Sequence, residues 1–180
     1  MNTKKIIHYR LSISRTFPAK HPKSGQETNF EPKILLAKMR QNNRGTVINA
    51  EKNGVLLEPK IHTIRGNYKL WQKRFEKIEK GEAVLELYYW TGKPYNSKCV
   101  TFATLKKKDG IGMQKLYFEF GRLLEPFISL EDSKNGTQTY LSIHEVAKND
   151  GLIYPDFKEW FKGYDLSEPL ALIYFTEFRY

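Results

Sequence analysis

Glu58-Pro59-Lys60-Ile61-His62-Thr63-Ile64-Arg65 is the stretch on which the reading of this chain turns. Proline has no N–H to give to a ladder, so Pro59 marks the start of a strand and not its middle. Behind it, Lys60, His62 and Arg65 bring three nitrogen donors, and Thr63 a hydroxyl, into six residues. Ile61 and Ile64 anchor them to an apolar core. Such a segment can place positive charge and a nucleophile on the wall of a pocket for a nucleobase or nucleoside. The same composition also fits an ordinary strand with its polar residues outward. Alternation adds a condition, because residues three apart on a regular strand point to opposite faces. Lys60 and Thr63 share a site only if a turn or bulge lies between them.

Outward from this stretch the patterning alternates between short strands and short helices. Toward the N-terminus, Thr28-Asn29-Phe30-Glu31 reads as a capping box with Pro32 in the first turn. It opens a helix carrying Ile34, Leu35 and Met39 to about Arg40. Residues 5–14 alternate as a strand, 16–27 form a loop, and 41–54 are a turn-rich connector with a hairpin through Thr46-Val47-Ile48. Toward the C-terminus, Gly66-Asn67 opens a helix with Trp71, Phe75 and Ile78 on one face, and Gly81 ends it. Strands are expected at 83–90, 98–106, 111–120, 123–130, 137–141 and 170–179. Ser142 caps a helix that stops near Asp150-Gly151. Pro155 starts another with Phe157, Trp160 and Phe161, ended by Gly163. Strands interrupted by short helices predict an α+β protein built on a partly closed β-barrel.

The net charge of +10 favours a polyanionic partner, and nucleic acid is the usual one. A solvated Lys-rich surface gives the same total. Cys99 is the only cysteine, which excludes an internal disulfide and a thiolate zinc site. It also makes a reducing cytoplasm the expected compartment. Lys4 and Lys5 precede only a two-residue apolar run, so no secretion signal is expected, and no stretch is long enough to span a bilayer. The four histidines have no recognised metal spacing, and no phosphate-binding or hydrolase motif occurs, so no metal or cofactor is expected. Around the turn Gly92-Lys93-Pro94 stand Tyr88, Tyr89, Trp90 and Tyr95. Alternation assigns Tyr89 to the core and leaves Tyr88, Trp90 and Tyr95, with Lys93, as candidates for stacking on bases.

The Lys60-x-x-Thr63-x-Arg65 pattern resembles the ASCH domain, a family of PUA-like barrels. A helix precedes it, and Glu79-Lys80-Gly81-Glu82 leads into a strand after it. Ala147 to Gly151 gives an Ala-x-x-Asp-Gly unit, followed by an aromatic helix and a last strand ending Phe175-Thr176-Glu177-Phe178. The resemblance covers roughly residues 30–180. It implies one PUA-like domain over 1–180 with short flanking helices, an N-terminal extension at 1–29, and insertions near 41–54 and 106–140. It also implies a pocket for RNA or a modified nucleoside, lined by Lys60, Thr63 and Arg65 with Asp150 opposite and His62 beside them. Some small members resemble amidohydrolases of 4-acetylcytidine. Carried over, their Lys and Thr fall on Lys60 and Thr63, and their acidic residue on Asp150, where the family pattern has Glu. Binding module and hydrolase or ribonuclease are therefore both open.

Overall fold

The computed structural model describes residues 5–44, 46–121, 126–129 and 138–180. Among them are ten strands, four α-helices and two short 3-10 turns. In chain order the strands are β1 (Ile7–Ser12), β2 (Glu51–Lys52), β3 (Val55–Leu56), β4 (His62–Arg65), β5 (Ala83–Trp90), β6 (Cys99–Leu105), β7 (Gly112–Phe118), β8 (Pro126–Ser129), β9 (Gln138–Tyr140) and β10 (Leu170–Tyr174). The helices are α1 (Phe30–Asn42), α2 (Tyr68–Glu79), α3 (Ile143–Asn149) and α4 (Tyr154–Phe161).

The chain is α+β, and its sheets do not close into a barrel among the described residues. One sheet has the order β1-β5-β6, the second β4-β10-β7-β8-β9, and β2 pairs only with β3. The run Leu170-Ala171-Leu172-Ile173-Tyr174 has no polar alternation, and this is why it becomes the covered strand between β4 and β7, with all five residues buried. On α2, Tyr68, Trp71, Phe75 and Ile78 form one apolar face. That face packs against β5 of the first sheet and against β7 and β10 of the second, so the core lies between the sheets.

Residues expected as an N-terminal extension are built into this core. β1 runs parallel to β5 with Ile7 opposite Ala83, and Leu11, Ile13 and Phe17 are buried. The expected capping box at Thr28 does not form. The Thr28 hydroxyl donates to the Ser14 carbonyl at 2.7 Å, and Asn29 caps α1 with a left-handed backbone and no side-chain bond. Leu36 and Ala37, not Leu35 and Met39, face inward. The hairpin lies further along than expected. Asn53 (φ 53°) and Gly54 (φ 77°) both have the positive φ that a tight two-residue turn demands, and they join β2 to β3. Positions 122–125 and 130–137 of the expected 106–140 insertion lie outside the described residues, as do the ends of its strands at 123–130 and 137–141. No helix among the described residues is long and apolar enough to cross a membrane.

Candidate functional site

The backbone of the central segment is held from three sides. Lys60 N donates to the Lys33 carbonyl of α1, Ile61 N to the Asn149 carbonyl of α3, and Phe175 N to the Ile61 carbonyl. From there β4 pairs with β10 without a register shift, His62 opposite Tyr174 and Thr63 opposite Ile173. The backbone therefore stays extended, and the turn that would bring Lys60 toward Thr63 is absent. Alternation pairs Lys60 with His62 instead, and these two side chains converge on Asp150.

Lys60 is 1% exposed, and its ammonium has three acceptors. Nζ donates to Asp150 Oδ1 at 2.9 Å and to the Asp150 backbone carbonyl, and it lies 4.2 Å from the centre of the Phe30 ring. Asp150 is the C-cap of α3, which fixes its direction. Gly151 follows with φ +78°, and a Cβ there would stand 3.1 Å from Lys60 Cβ. Only glycine combines that backbone with that approach.

His62 is fully buried. Its Nε2 is 3.0 Å from the Tyr180 hydroxyl, which also accepts from Asn149 Nδ2 at 2.9 Å. Its Nδ1 has no hydrogen-bond partner and lies 3.7 Å from Asp150 Oδ1. With Asn149 donating to Tyr180, the hydroxyl proton is free to point at Nε2. The ring proton then sits on Nδ1 facing the carboxylate, where a lone pair would be repelled.

Burial pushes Lys60 down to about 8, against the pull of Asp150. Burial pushes Asp150 up, but Lys60 and His62 outweigh it and hold the carboxyl below its ordinary 3.8. Burial also lowers His62, which is neutral at pH 7. The signs give a pH dependence. Between about 8 and 10.5 the unfolded chain holds the Lys60 proton and the folded chain has released it, so stability rises with pH in that window. The Asp150 contribution is present above about 3.8 and lost as pH falls through its lower folded value. Urea midpoints at about pH 7, 8.5 and 10 are expected to rise. In Lys60→Met/Asp150→Asn, which lacks both groups, the rise is expected to shrink.

Thr63 is buried on the other face of β4, and its hydroxyl makes no hydrogen bond among the described residues. Arg65 spends its guanidinium on backbone, donating to the Ile64 carbonyl at 3.0 Å and to the Ser12 carbonyl at 2.7 Å. It thereby ties β4 of one sheet to β1 of the other. Four cavities, of about 460, 730, 360 and 40 Å³, are bounded by described residues, and Lys60, Thr63 and Arg65 line none of them. Ile61, in the segment expected as a pocket wall, lines the cavity of about 360 Å³, while Asp150 and Phe30 cover the Lys60 ammonium, which at this depth must be paired. No family model, curated protein or solved structure matches the chain.

Trp90, Lys93 and Tyr95 lie elsewhere, along the first sheet. The parallel register puts Arg10 beside Glu86 and Ser12 beside Tyr88 on one face of that sheet. On this face the Arg10 guanidinium lies 4.0 Å from the Tyr88 ring centre, Tyr88 is 6.0 Å from Trp90, and Trp90 is 5.3 Å from Tyr95. Tyr95 is 88% exposed and holds φ 66°, a left-handed backbone costing about 1–2 kcal/mol for a residue with a side chain. Ser97 keeps the turn in place, accepting from Gly92 N at 3.0 Å and donating to the Lys93 carbonyl at 2.9 Å. Lys93 and Lys98 are exposed at the same end. Glu86 stands on this face, hydrogen-bonded to His8 at 2.7 Å and paired with Arg10 at 3.7 Å.

Sequence reasoning missed Phe30, Asn149, Tyr180 and Arg10. Asn149 adjoins Asp150, and Arg10 stands at an outward position of an alternating strand. No sequence signal connects Phe30 or Tyr180 to Lys60 and His62. Among the described residues, no group of three His, Cys, Asp or Glu side chains is disposed to hold a metal ion.

Proposed function

We propose that this chain is an RNA-binding domain that takes a single strand along the open face of the β1-β5-β6 sheet. The row Arg10, Tyr88, Trp90, Tyr95 carries this reading. Aromatic rings with open faces stack on any base and contribute about 1–3 kcal/mol per base, and flanking cations follow the phosphates. Lys93 and Lys98 supply the cations. The strained backbone at Tyr95 supports the reading, since strain of this kind concentrates at binding sites. The net charge of +10 supplies long-range attraction. In the same proposal the sheets are the halves of a PUA-like, partly closed barrel, with the ordered set around Lys60 as its ASCH-like signature.

Fluorescence anisotropy with a labelled oligouridine tests the reading. Binding is expected at about 1–100 µM in low salt, weakening as salt rises. Absence of any anisotropy change at about 100 µM protein in low salt sinks it.

One observation favours a second reading, a hydrolase of acylated nucleosides or a ribonuclease. Lys60, lowered to about 8, lies in the range of a catalytic base. In that reading an opening that also kinks β4 brings Thr63 to Lys60; the neutral Lys60 amine takes the proton of the attacking Thr63 hydroxyl or water and returns it to the leaving amine, with Asp150 holding the ammonium in between. Incubation with 4-acetylcytidine separates the readings. Release of cytidine by the wild type, but not by Thr63→Ala or Lys60→Ala, would establish the enzyme.

A further inference from the structure

The cavity of about 730 Å³ lies between the β2–β3 hairpin, the first turns of α1, and the connection from α3 to α4. Its walls are mainly apolar, with Leu56, Leu57, Leu152, Ile153 and Pro155 among them. Leu56 and Ile153 are 67% and 61% exposed, so a large apolar surface here has no cover among the described residues. Such surface, concave and of this volume, is the usual form of a small-molecule site.

Among its polar lining residues, Lys33 has hydrogen-bonding capacity that no described residue takes up. Lys33 Nζ donates to the Gly151 carbonyl at 2.7 Å, which uses one of its three N–H bonds. Three carboxylates act on it, and each is engaged by another lysine. Asp156 is 2.6 Å from Lys23, Asp150 is 2.9 Å from Lys60, and Glu58, itself in the lining, is 3.9 Å from Lys148. Burial lowers Lys33 from its ordinary value, the signature of an ammonium without enough counter-charge. Lys148, also in the lining, offsets Glu58 beside it.

We propose that this cavity binds a small carboxylate with an apolar body, a medium-chain or arylalkyl acid whose head group pairs with Lys33 and whose body lies on Leu56, Leu152 and Ile153. A nucleoside fits these walls poorly, because its many donors and acceptors would face carbon and lose their water partners. A neutral apolar molecule leaves the two free N–H bonds of Lys33 unanswered. The cavity lining includes none of Arg10, Tyr88, Trp90, Lys93 or Tyr95, so this site stands or falls independently of RNA binding.

The test uses the full chain and two probes, decanoate and decanol, kept below their aggregation limits and followed by backbone amide shifts. Decanoate is expected to bind saturably and at least about tenfold tighter than decanol, the contribution of one charge-assisted contact. Lys33→Met is expected to remove that preference, weakening decanoate about tenfold and changing decanol less than about twofold. Leu56→Glu, at an exposed position that leaves the fold intact, is expected to weaken both. Equal affinity of the two probes for the wild type overturns the proposal, and so does the absence of saturable shifts around Leu152 and Ile153. Should Lys33→Met fail to fold, the wild-type ratio and Leu56→Glu decide.

Discussion

Lys60→Met is expected to lower the unfolding free energy by about 3–5 kcal/mol at pH 7, the usual cost of leaving a buried charge without its partner. Asp150 is 3% exposed, and among the described residues no other cation hydrogen-bonds to it. His62, 3.7 Å away, is neutral and cannot take over. Methionine fills nearly the same volume as the lysine stem against Phe30 and Gly151, so the loss measures charge and not packing. The double variant Lys60→Met/Asp150→Asn removes both charges and keeps an amide oxygen for His62 Nδ1–H. It is expected to regain more than half of the loss. Urea unfolding of the three proteins gives the comparison through their midpoints. A single variant within about 1 kcal/mol of wild type would mean that water reaches Asp150.

Tyr88→Ala with Trp90→Ala is expected to weaken oligouridine binding by about 2–6 kcal/mol, one stacking contribution for each ring, or at least about thirtyfold. Both rings are half-buried on the outward face of β5, and core positions such as Leu85 and Leu87 lie on the other face. Stability is therefore expected to change far less than affinity. Lys93→Ala provides the contrast. It removes one phosphate contact, so it is expected to flatten the salt dependence by about one unit of slope with a smaller loss at fixed salt. If the aromatic pair can be removed without loss, charge alone holds the RNA and the stacking row is packing.

Much of the local structure was legible because it rests on local signals. Trp71, Phe75 and Ile78 predict their helix, and Asp150-Gly151 the end of α3. The meeting of Lys60 with Asp150 followed only from the family-like order of elements, since no local pattern links residues so far apart. Strand alternation carried more information than the motif. It tied a shared Lys60–Thr63 site to a bulge, and the unbroken ladder from Ile61 to Arg65 answers that condition with His62 instead. Two features lay beyond sequence. The depth of Lys60 depends on Phe30 and Gly151 closing over it. The role of residues 5–29 depends on a parallel pairing with a strand far along the chain, which no periodicity reveals.

That pairing has a consequence for how the protein comes into being. Arg10 sits on β1, and Tyr88 and Trp90 on β5, so the stacking row is assembled from both ends of the longest loop in the first sheet. On the ribosome β1 emerges first and waits for its partner, through roughly 4–15 s of synthesis at about 5–20 residues per second. Closing so long a loop before any contact rewards it places the pairing late in folding. On the proposed reading of this face, the nascent chain cannot capture RNA there until β5 has followed its α1, β4 and α2 segments. The order of synthesis then acts as a timer on the proposed surface.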